Sequence, residues 1–308
     1  MTRVASIDVG TNTVRLLIVE IEPDGCLREI VNEKAITRLG EGMDAEKKLL
    51  DHRMNGTIRV LAEFRSKCQK LEPVMIRAVT TSAVREAINQ GEFISRVREE
   101  AGVEIEVISW KKEANLMVEG VLWKLPGAEK QVLAFDIGGG STEFILARNR
   151  KIVTAAGTLL GTVRLTEKFL SHHPINENEY CALEGYLRKE LGSIKEKFSS
   201  FPPEILVGTA GTVTTLAAID GKVYPYDPYK IHGTTLTLKR VEELLEDLKR
   251  KSLDERLAMK TIEKGREDLI IAGCALTLEI MRTFDCNLLT ISEHGLREGI
   301  VLETVNML

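Results

Sequence analysis

The feature that most constrains this chain is an internal repeat of ten residues. The segment IDVGTNTVRL at positions 7–16 aligns without gaps with FDIGGGSTEF at positions 135–144. In each copy, a hydrophobic strand brings an aspartate to its carboxyl end, and a turn of Gly, Asn, Thr or Ser leads into a second strand. Because internal self-similarity indicates duplicated structural units, we expect each half of the chain to open with the same hairpin.

Strand-like and helix-like segments alternate along both halves. Helices are predicted over about 112–125 and about 265–284, and the final residues also carry helical spacing. The 308 residues are enough for two domains of about 150 residues each. The LPGAEK stretch interrupts the pattern, which predicts a boundary near positions 118–130. This alternation predicts an α/β protein.

Composition limits the partners and the compartment. A net charge of −4 gives no general attraction for nucleic acid or for a membrane surface, so any polyanion site must be local. No apolar run approaches the roughly 20 residues of a membrane span, and the start of the chain runs directly into strand-like sequence. We therefore expect a cytoplasmic protein that binds neither nucleic acid nor membrane.

Cysteine and histidine spacing shows no metal clip or zinc motif. The cysteines are scattered, without a C-x-x-C pair, and the histidines lack H-E-x-x-H spacing. We expect the cysteines to be reduced packing residues: Cys26, Cys68, Cys181, Cys274 and Cys286.

Both turns of the repeat are rich in residues that bind anions. Glycine lets the backbone approach a ligand, and successive amide N–H groups with hydroxyl side chains form a concave anion site. The predicted phosphate-binding residues are Gly10, Thr11, Asn12 and Thr13 in the first copy and Gly138, Gly139, Gly140 and Ser141 in the second. An ordinary hairpin is the alternative for a single copy, whereas two matching copies favour phosphate binding.

The aspartate before each turn suits a divalent cation. Mg²⁺ keeps most of its waters in proteins and takes one or two carboxylates together with phosphate oxygens. Asp8 and Asp136 are therefore predicted to flank one Mg²⁺, or another divalent cation such as Mn²⁺.

Several motifs together resemble one family. SIDVGTNTVRLLI, TSAVREA, FDIGGGSTEFIL, GTAGTVTTLAA and EHGLREGIV occur in this order over nearly the whole chain. Glu113-Ala114 follows a strand and opens a helix between the second and third of them. The chain resembles the exopolyphosphatase and guanosine pentaphosphate phosphatase family, abbreviated Ppx/GppA. Long members of that family carry an additional C-terminal helical domain, and this sequence resembles the short two-domain class.

The resemblance implies a particular α/β fold and domain division. It implies the actin-like ATPase (ASKHA) fold, with two ribonuclease-H-like domains around an interdomain cleft. Domain I would comprise residues 1–120 together with 296–308, the C-terminal helix packing back on it, and domain II would comprise residues 121–295.

The resemblance also implies a reaction. It implies hydrolysis of the terminal phosphoanhydride of inorganic polyphosphate, of guanosine pentaphosphate, or of both, with release of orthophosphate. The implied partners are polyphosphate and guanosine penta- and tetraphosphate, and the sequence does not rank these substrates. It also leaves a homodimer open. An ATP-dependent small-molecule kinase of the same fold is disfavoured by the TSAVREA and EHGLREGIV matches, and a nucleotide-sensing or filament-forming non-enzyme by the retained carboxylates.

The resemblance assigns the general base to Glu113. The family usually shows a Gly-acid-Glu-Glu-Ala context, whereas this chain has Trp110, Lys111 and Lys112 before Glu113. The two lysines would either bind phosphate beside the base or face solvent. Without the resemblance, a glutamate in a first helical turn is ordinarily explained by the helix dipole.

Cations must offset the charge of a phosphate chain. The candidates are Arg15 in the first hairpin, Arg85 in TSAVREA, Arg266 before the long helix, and Arg297 in the C-terminal motif. Arg85 follows a predicted helix N-terminus and could bind phosphate through a bidentate fork. Its alternative is an ion pair with Glu86 or a nearby acid, and Arg297 could equally hold the C-terminal helix in place.

Two further sets of residues enter through the resemblance. Gly208, Gly211 and Thr212 repeat the Gly/Thr chemistry at a third strand end and are predicted to contact a phosphate or a base, with a helix-capping turn as the alternative. Glu143 stands where the first copy has Arg15 and resembles a family acid needed around the metal and the water.

Overall fold

The computed structural model describes residues 2–23, 26–71, 75–199 and 202–307, and for residues 44 and 45 it describes the backbone alone. The end residues of the predicted first domain, Met1 and Leu308, lie outside this description. Internal packing divides the chain into unit 1, Met1–Gly120 with Leu296–Leu308, and unit 2, Val121–Gly295.

Strands and helices alternate in both units. The strands are β1 (Thr2–Val9), β2 (Thr13–Ile21), β3 (Leu27–Ile36), β4 (Met75–Thr80), β5 (Ile105–Val107), β6 (Gln131–Ile137), β7 (Thr142–Arg148), β8 (Lys151–Thr158), β9 (Ile205–Thr209), β10 (Thr235–Thr237) and β11 (Leu288–Ile291). The helices are α1 (Met43–Glu46), α2 (Asp51–Leu71), α3 (Ser82–Glu86), α4 (Gln90–Arg96), α5 (Trp110–Leu122), α6 (Thr162–Phe169), α7 (Glu177–Phe198), α8 (Ala210–Asp220), α9 (Pro228–Ile231), α10 (Leu238–Lys249), α11 (Leu253–Leu257), α12 (Ile270–Thr283) and α13 (Leu296–Val305), with a π-helical turn at Val97–Ala101.

The sheet of unit 1 is mixed. In the described residues its order is β3-β2-β1-β4-β5. β2 is antiparallel to both of its neighbours, and β1, β4 and β5 are parallel. Alternate side chains of a strand face opposite sides of a sheet. Ile7 therefore packs with Leu61 and Phe64 of α2 on one face, whereas Val4 packs with Val301 of α13 on the other.

The sheet of unit 2 repeats this arrangement and adds one antiparallel edge strand. Its order within the described chain is β8-β7-β6-β9-β11-β10. β7 is antiparallel to both of its neighbours, β6 and β8. The strands β6, β9 and β11 run parallel to one another, and β10 is antiparallel to β11. The apolar core unites Phe135 of β6 and Phe144 of β7 with residues of α7, α8, α10 and α12. Each half therefore opens with the predicted hairpin, followed by a parallel strand on the far side of its first strand.

Two helices begin at residues other than those predicted, and in both cases the reason is local. α5 begins at Trp110 instead of about residue 112, because the side-chain oxygen of Ser109 accepts a 3.3 Å hydrogen bond from the amide of Lys112 and so caps the helix. The long helix predicted from about residue 265 begins at Ile270. Gly265 has a φ of 90°, which no helical residue adopts.

The cysteine prediction is wrong for two positions. Cys68 and Cys274 are buried, but Cys26 and Cys181 are exposed. Cys181 directly follows the buried Tyr180 in α7, so the turn of the helix carries it to the solvent-facing side. Burial raises the pKa of the Cys274 thiol above its ordinary value. None of the helices in the described residues is both long and apolar enough to cross a membrane.

Candidate active site

The two repeated turns have the same backbone hydrogen bond. The amide of Gly10 donates to the carbonyl of Thr13 at 3.1 Å, and the amide of Gly138 donates to the carbonyl of Ser141 at 2.9 Å. A Cβ atom placed on either glycine would lie 3.1 Å from that same carbonyl oxygen. Both positions therefore favour glycine because of crowding within the turn, and their own amides already have a partner there.

A segment after β3 holds the first turn. The amides of Thr37 and Arg38 both donate to the carbonyl of Asn12 at 3.0 Å, and the amide of Gly40 donates to the carbonyl of Thr11 at 2.9 Å. A Cβ atom on Gly40 would lie 2.3 Å from the Thr11 methyl carbon. Sequence reasoning missed this support, although the glycine in TRLGEG was a signal for such a close approach.

The second turn is supported in the same way. The amide of Thr162, the first residue of α6, donates to the carbonyl of Gly138 at 3.0 Å, and the amide of Val163 donates to that of Gly139 at 2.9 Å. A Cβ atom on Gly161 would lie 2.3 Å from the Gly139 oxygen. In both units, the chain that follows the third strand returns to fix the backbone of the turn.

Asp8 lies opposite Arg15 in the β1–β2 register and is buried. Its Oδ1 atom is fully buried and has no hydrogen-bond partner among the described residues. Burial raises the pKa of Asp8 above its ordinary value, and the charges of Arg15 and Arg297 oppose this shift. A buried carboxylate oxygen without a donor is costly by itself. Its chemistry suits a hard divalent cation, so the residue fits Mg²⁺.

In unit 2, the corresponding cross-strand pair consists of Asp136 and Glu143. Asp136 is half-buried and Glu143 is buried at 4% exposure. A Cβ atom on Gly295 would lie 3.9 Å from Oδ2 of Asp136, so this glycine keeps the space beside the carboxylate open. Like charges directly opposite each other on a sheet face repel. A cation beside this pair would remove that repulsion.

No three or more His, Cys, Asp or Glu side chains of the described residues are grouped as in a metal site. A site that holds its ion with one or two carboxylates, phosphate oxygens and water does not need such a group. Asn12 adds another buried oxygen: its Oδ1 has no partner among the described residues, while its Nδ2 donates to Thr13 Oγ1 at 3.4 Å.

Glu113 lies in the first turn of α5 and is buried at 7% exposure. Its Oε2 accepts a 2.8 Å hydrogen bond from Nη1 of Arg85, and the same nitrogen donates to the carbonyl of Ile108 at 3.0 Å. The alternative of an ion pair at Arg85 is therefore realised, with Glu113 instead of Glu86. α3 is only five residues long, so its N-terminus adds little to an anion site. Phosphate binding by Arg85 stays a prediction.

The two lysines before Glu113 have different surroundings. Lys111 is exposed. Lys112 pairs with Glu303 of α13, which also pairs with Arg77. Of the two alternatives, solvent exposure describes Lys111, whereas Lys112 contacts the C-terminal helix. Arg85, which sequence reasoning had treated separately, is the cation bonded to Glu113.

At the N-terminus of α8, Arg266 lies directly on Gly211. A Cβ atom on Gly211 would lie 1.7 Å from Nη1 of Arg266, so a larger residue there would displace this guanidinium. Nε of Arg266 is 3.3 Å from Oε2 of Glu263. The preceding Ala210 has a φ of 71°, a left-handed conformation that is strained for alanine. The fold thus brings the predicted Gly211 and Arg266 together.

The remaining residues of this turn have packing roles. A Cβ atom on Gly208 would lie 2.8 Å from the Phe135 ring, and one on Gly273 of α12 would lie 2.4 Å from Thr212 Oγ1. Gly208 and Thr212 therefore bring β9 and α8 close to their neighbours. The side chain of Thr209 does not cap α8 but donates to the carbonyl of His294 at 2.9 Å. Ligand contacts by Gly208 and Thr212 stay predictions.

Arg297 stabilises the start of the C-terminal helix. It pairs with the buried Glu298 at 2.6 Å and also donates to Asn32 of β3. Its backbone carbonyl accepts a 3.1 Å hydrogen bond from Ser6 in β1. The structural alternative that the sequence left open for this arginine is therefore present.

In both sheets the first four strands of the unit lie in the order 3-2-1-4, with an antiparallel second strand and an aspartate at the end of the first strand. They define an α/β protein of the actin-like ATPase fold, which confirms the predicted fold class. Residues 17–308 match the model of the Ppx/GppA phosphatase family. The chain belongs to this family.

Similar proteins come from several bacteria. Exopolyphosphatase 2 of Mycobacterium tuberculosis is 31% identical over 98% of both chains. A bifunctional 3-dehydroquinate synthase/phosphatase of Fusobacterium nucleatum is 33% identical over 98% of this chain, which spans only 46% of that relative's length. A crystal structure of the Aquifex aeolicus member of the Ppx/GppA family is 36% identical, with a TM-score of 0.84 over 99% of this chain and 98% of that one.

Proposed function

We propose that this chain is a Mg²⁺-dependent exophosphatase that removes the terminal phosphate of inorganic polyphosphate, of guanosine pentaphosphate, or of both. Family membership supports a phosphatase, and the M. tuberculosis relative is an exopolyphosphatase. The observation that carries the proposal is the unpartnered, buried Oδ1 of Asp8 beside a turn that recurs after Asp136. A buried carboxylate oxygen without a hydrogen-bond donor, next to a glycine-containing turn, is explained most simply by a cation and an anionic ligand.

Asp8, Asp136 and Glu143 are the residues proposed to hold the metal. The chemistry that Mg²⁺ supplies when bound is neutralisation of charge on the phosphoryl oxygens. The chain contributes the rest of the site: the backbone of the two turns, held in place by the segments that follow β3 and β8, is proposed to line the phosphates.

Cationic side chains are proposed to bind the substrate's phosphates. Arg266 lies at the N-terminus of α8, where the helix dipole also favours an anion, and its ion pair with Glu263 helps to hold the guanidinium there. The half-buried Arg15 on the first hairpin supplies a second positive charge.

Glu113 is proposed as the general base. It accepts the proton of the water that attacks the terminal phosphorus in line with the departing phosphate chain. Arg85 keeps the carboxylate in one orientation through its 2.8 Å hydrogen bond. A positioned base contributes about 10² to 10⁴ in rate, so most of the acceleration must come from positioning and electrostatics.

The test is phosphate release by the purified chain. Long polyphosphate, short polyphosphate, guanosine pentaphosphate and ATP are compared with Mg²⁺ and with EDTA. We expect release from polyphosphate or guanosine pentaphosphate only with Mg²⁺, and loss of that release in Asp136→Ala. The matched control is Asp247→Ala, because Asp247 is an exposed aspartate on α10. Release that is unchanged in EDTA, or ADP formation that requires an added acceptor, would contradict the proposal.

A further inference from the structure

Arg256 is a fully buried arginine in the short helix α11, with 0% exposure. Nη1 donates to the carbonyl of Glu267 at 2.7 Å, Nη2 to Nδ1 of His173 at 2.5 Å, and Nε more weakly to the carbonyl of Ser252 at 3.4 Å. These acceptors are two backbone carbonyls and an imidazole. Burying a guanidinium is unfavourable unless its hydrogen bonds are satisfied, so the contacts at Arg256 require defined geometry.

These contacts hold the segment that carries Arg266. The backbone carbonyl of Glu267 accepts the hydrogen bond from Arg256, and the Glu267 carboxylate accepts a 2.6 Å hydrogen bond from the amide of Gly265. Gly265 before Arg266 is thereby bonded to Glu267 after it, and Glu267 is bonded to Arg256. Arg266 itself is only 12% exposed and lies against Gly211 with no room for a Cβ atom. A small movement of this segment would move the guanidinium off the start of α8.

We propose that Arg256 is a positioning residue for Arg266. It fixes the backbone at Glu267, and this in turn fixes the Arg266 guanidinium over Gly211, where it binds substrate phosphate. The phosphate contact of Arg266 rests on the proposed function, whereas the positioning itself does not.

His173 makes this arrangement sensitive to protonation. An arginine can only donate, so Nδ1 of His173 must be unprotonated to accept from Arg256. The other charged or titratable groups that act on His173 are Asp268 before α12, Glu179 of α7 and the neighbouring His172. Burial and then the charge of Arg256 lower the pKa of His173 below its ordinary value. Protonated His173 would lose the contact and repel Arg256.

The first test is kinetic. Arg256→Met, Arg266→Ala and the double variant are compared on polyphosphate. A lost charge-assisted contact corresponds to about a 10- to 100-fold change, so we expect KM to rise by that order in both single variants, with kcat changed little. The double variant should be no worse than Arg266→Ala alone. A merely structural role would lower kcat by reducing the active fraction, leave KM unchanged, and add to the effect of Arg266→Ala.

The second test does not depend on activity. Hydrogen exchange measured by mass spectrometry should be faster in peptides covering residues 263–269 of Arg256→Met than in the wild type. Unchanged exchange there would overturn the proposal. Faster exchange combined with a wild-type KM in Arg266→Ala would preserve the positioning role and remove Arg266 from the proposed phosphate site.

Two milder variants keep the proposal testable if Arg256→Met does not fold. Arg256→Lys retains the charge but cannot bridge all three acceptors, so we expect an intermediate KM. His173→Phe removes one acceptor and the titrating group, so KM should no longer rise as the pH falls from about 7 to about 5. A wild-type KM in Arg256→Lys together with an unchanged pH profile in His173→Phe would overturn the proposal.

Discussion

The carboxylate of Glu113 accepts a 2.8 Å hydrogen bond from the guanidinium of Arg85. The bond joins the first turn of α5 to the end of α3, two elements that are separate in the sequence. Because both partners belong to regular helices, the bond restrains the orientation of the Glu113 carboxylate.

Glu113→Gln should therefore lower kcat by about 10² to 10⁴ with little change in substrate binding. Glutamine keeps the shape of the side chain and still accepts from Arg85, but it cannot take a proton. Steady-state phosphate release and a binding assay measure the two effects. Glu119→Gln, an exposed position on the same helix, is the control. Wild-type turnover in Glu113→Gln would remove this residue from catalysis.

Asp8→Asn tests the metal site without using activity. Ligands that bind only the folded state raise the melting temperature, so Mg²⁺ should stabilise the wild type and have much less effect on the variant. Burial raises the pKa of Asp8 above 3.8. Its contribution to metal-free stability is therefore present at low pH and is lost as the pH rises through the folded-state pKa.

In EDTA at neutral pH, Asp8→Asn should consequently be at least as stable as the wild type. Thermal denaturation with and without Mg²⁺ measures both effects, and Asp247→Asn on the exposed face of α10 is the control. An equal Mg²⁺ shift in Asp8→Asn and the wild type would show that Asp8 does not bind the ion.

Gly299→Ala should be strongly destabilising. A Cβ atom there would lie 1.8 Å from the carbonyl oxygen of Leu116, so α13 would have to move away from α5. Overpacking of this kind costs about 1–3 kcal/mol or more in the free energy of unfolding. Gly192→Ala in α7 is the matched control, because nothing lies within 4 Å of its new Cβ. Gly192→Ala should raise the free energy of unfolding by about 0.5–1 kcal/mol, because alanine has a higher helix propensity than glycine. Chemical denaturation measures the free energy of unfolding of both variants.

His173 should make the wild type less stable in mild acid. Its folded-state pKa is lowered by burial and by Arg256, so the unfolded chain binds the proton more readily. The free energy of unfolding should fall as the pH drops below about 6.5, the ordinary value for histidine. Urea denaturation at several pH values should show a smaller fall in His173→Phe. His52→Phe, at an exposed position in α2, should retain the wild-type slope.

Arg282→Met should weaken unit 2. Arg282 of α12 pairs with Glu242 of α10 at 2.7 Å, with Glu279 at 2.5 Å and with Glu184 of α7 at 3.3 Å. Removing Arg282 leaves the buried carboxylate of Glu279 with less positive charge beside it. This should lower the free energy of unfolding by about 1–3 kcal/mol at this partly exposed site. Arg188→Met, at a 57% exposed side chain that also contacts Glu279, should cost less than about 1 kcal/mol. Equal losses of stability in Arg282→Met and Arg188→Met would show that the ion pairs of Arg282 do not stabilise unit 2 as proposed.

Prediction succeeded where the structure depends on neighbours in sequence. The hairpin after Asp8 and its copy after Asp136 follow from apolar runs and turn residues that lie within about ten positions of each other. Helix boundaries were less accurate, because the cap at Ser109 and the positive φ of Gly265 depend on single residues. The roles of Lys112 and Cys181 depended on which face of a helix is covered, which the pattern alone did not settle.

The sequence by itself determined the repeat, the two hairpins, the family and the chemistry available at each turn. Only the tertiary structure decided which side chains meet: Arg85 with Glu113, Arg266 with Gly211, and Lys112 with Glu303. The physical reason is the separation in sequence over which each kind of interaction acts. Turn and strand preferences act between adjacent residues, whereas the partner of a charged side chain is set by the packing of elements that are distant in the chain.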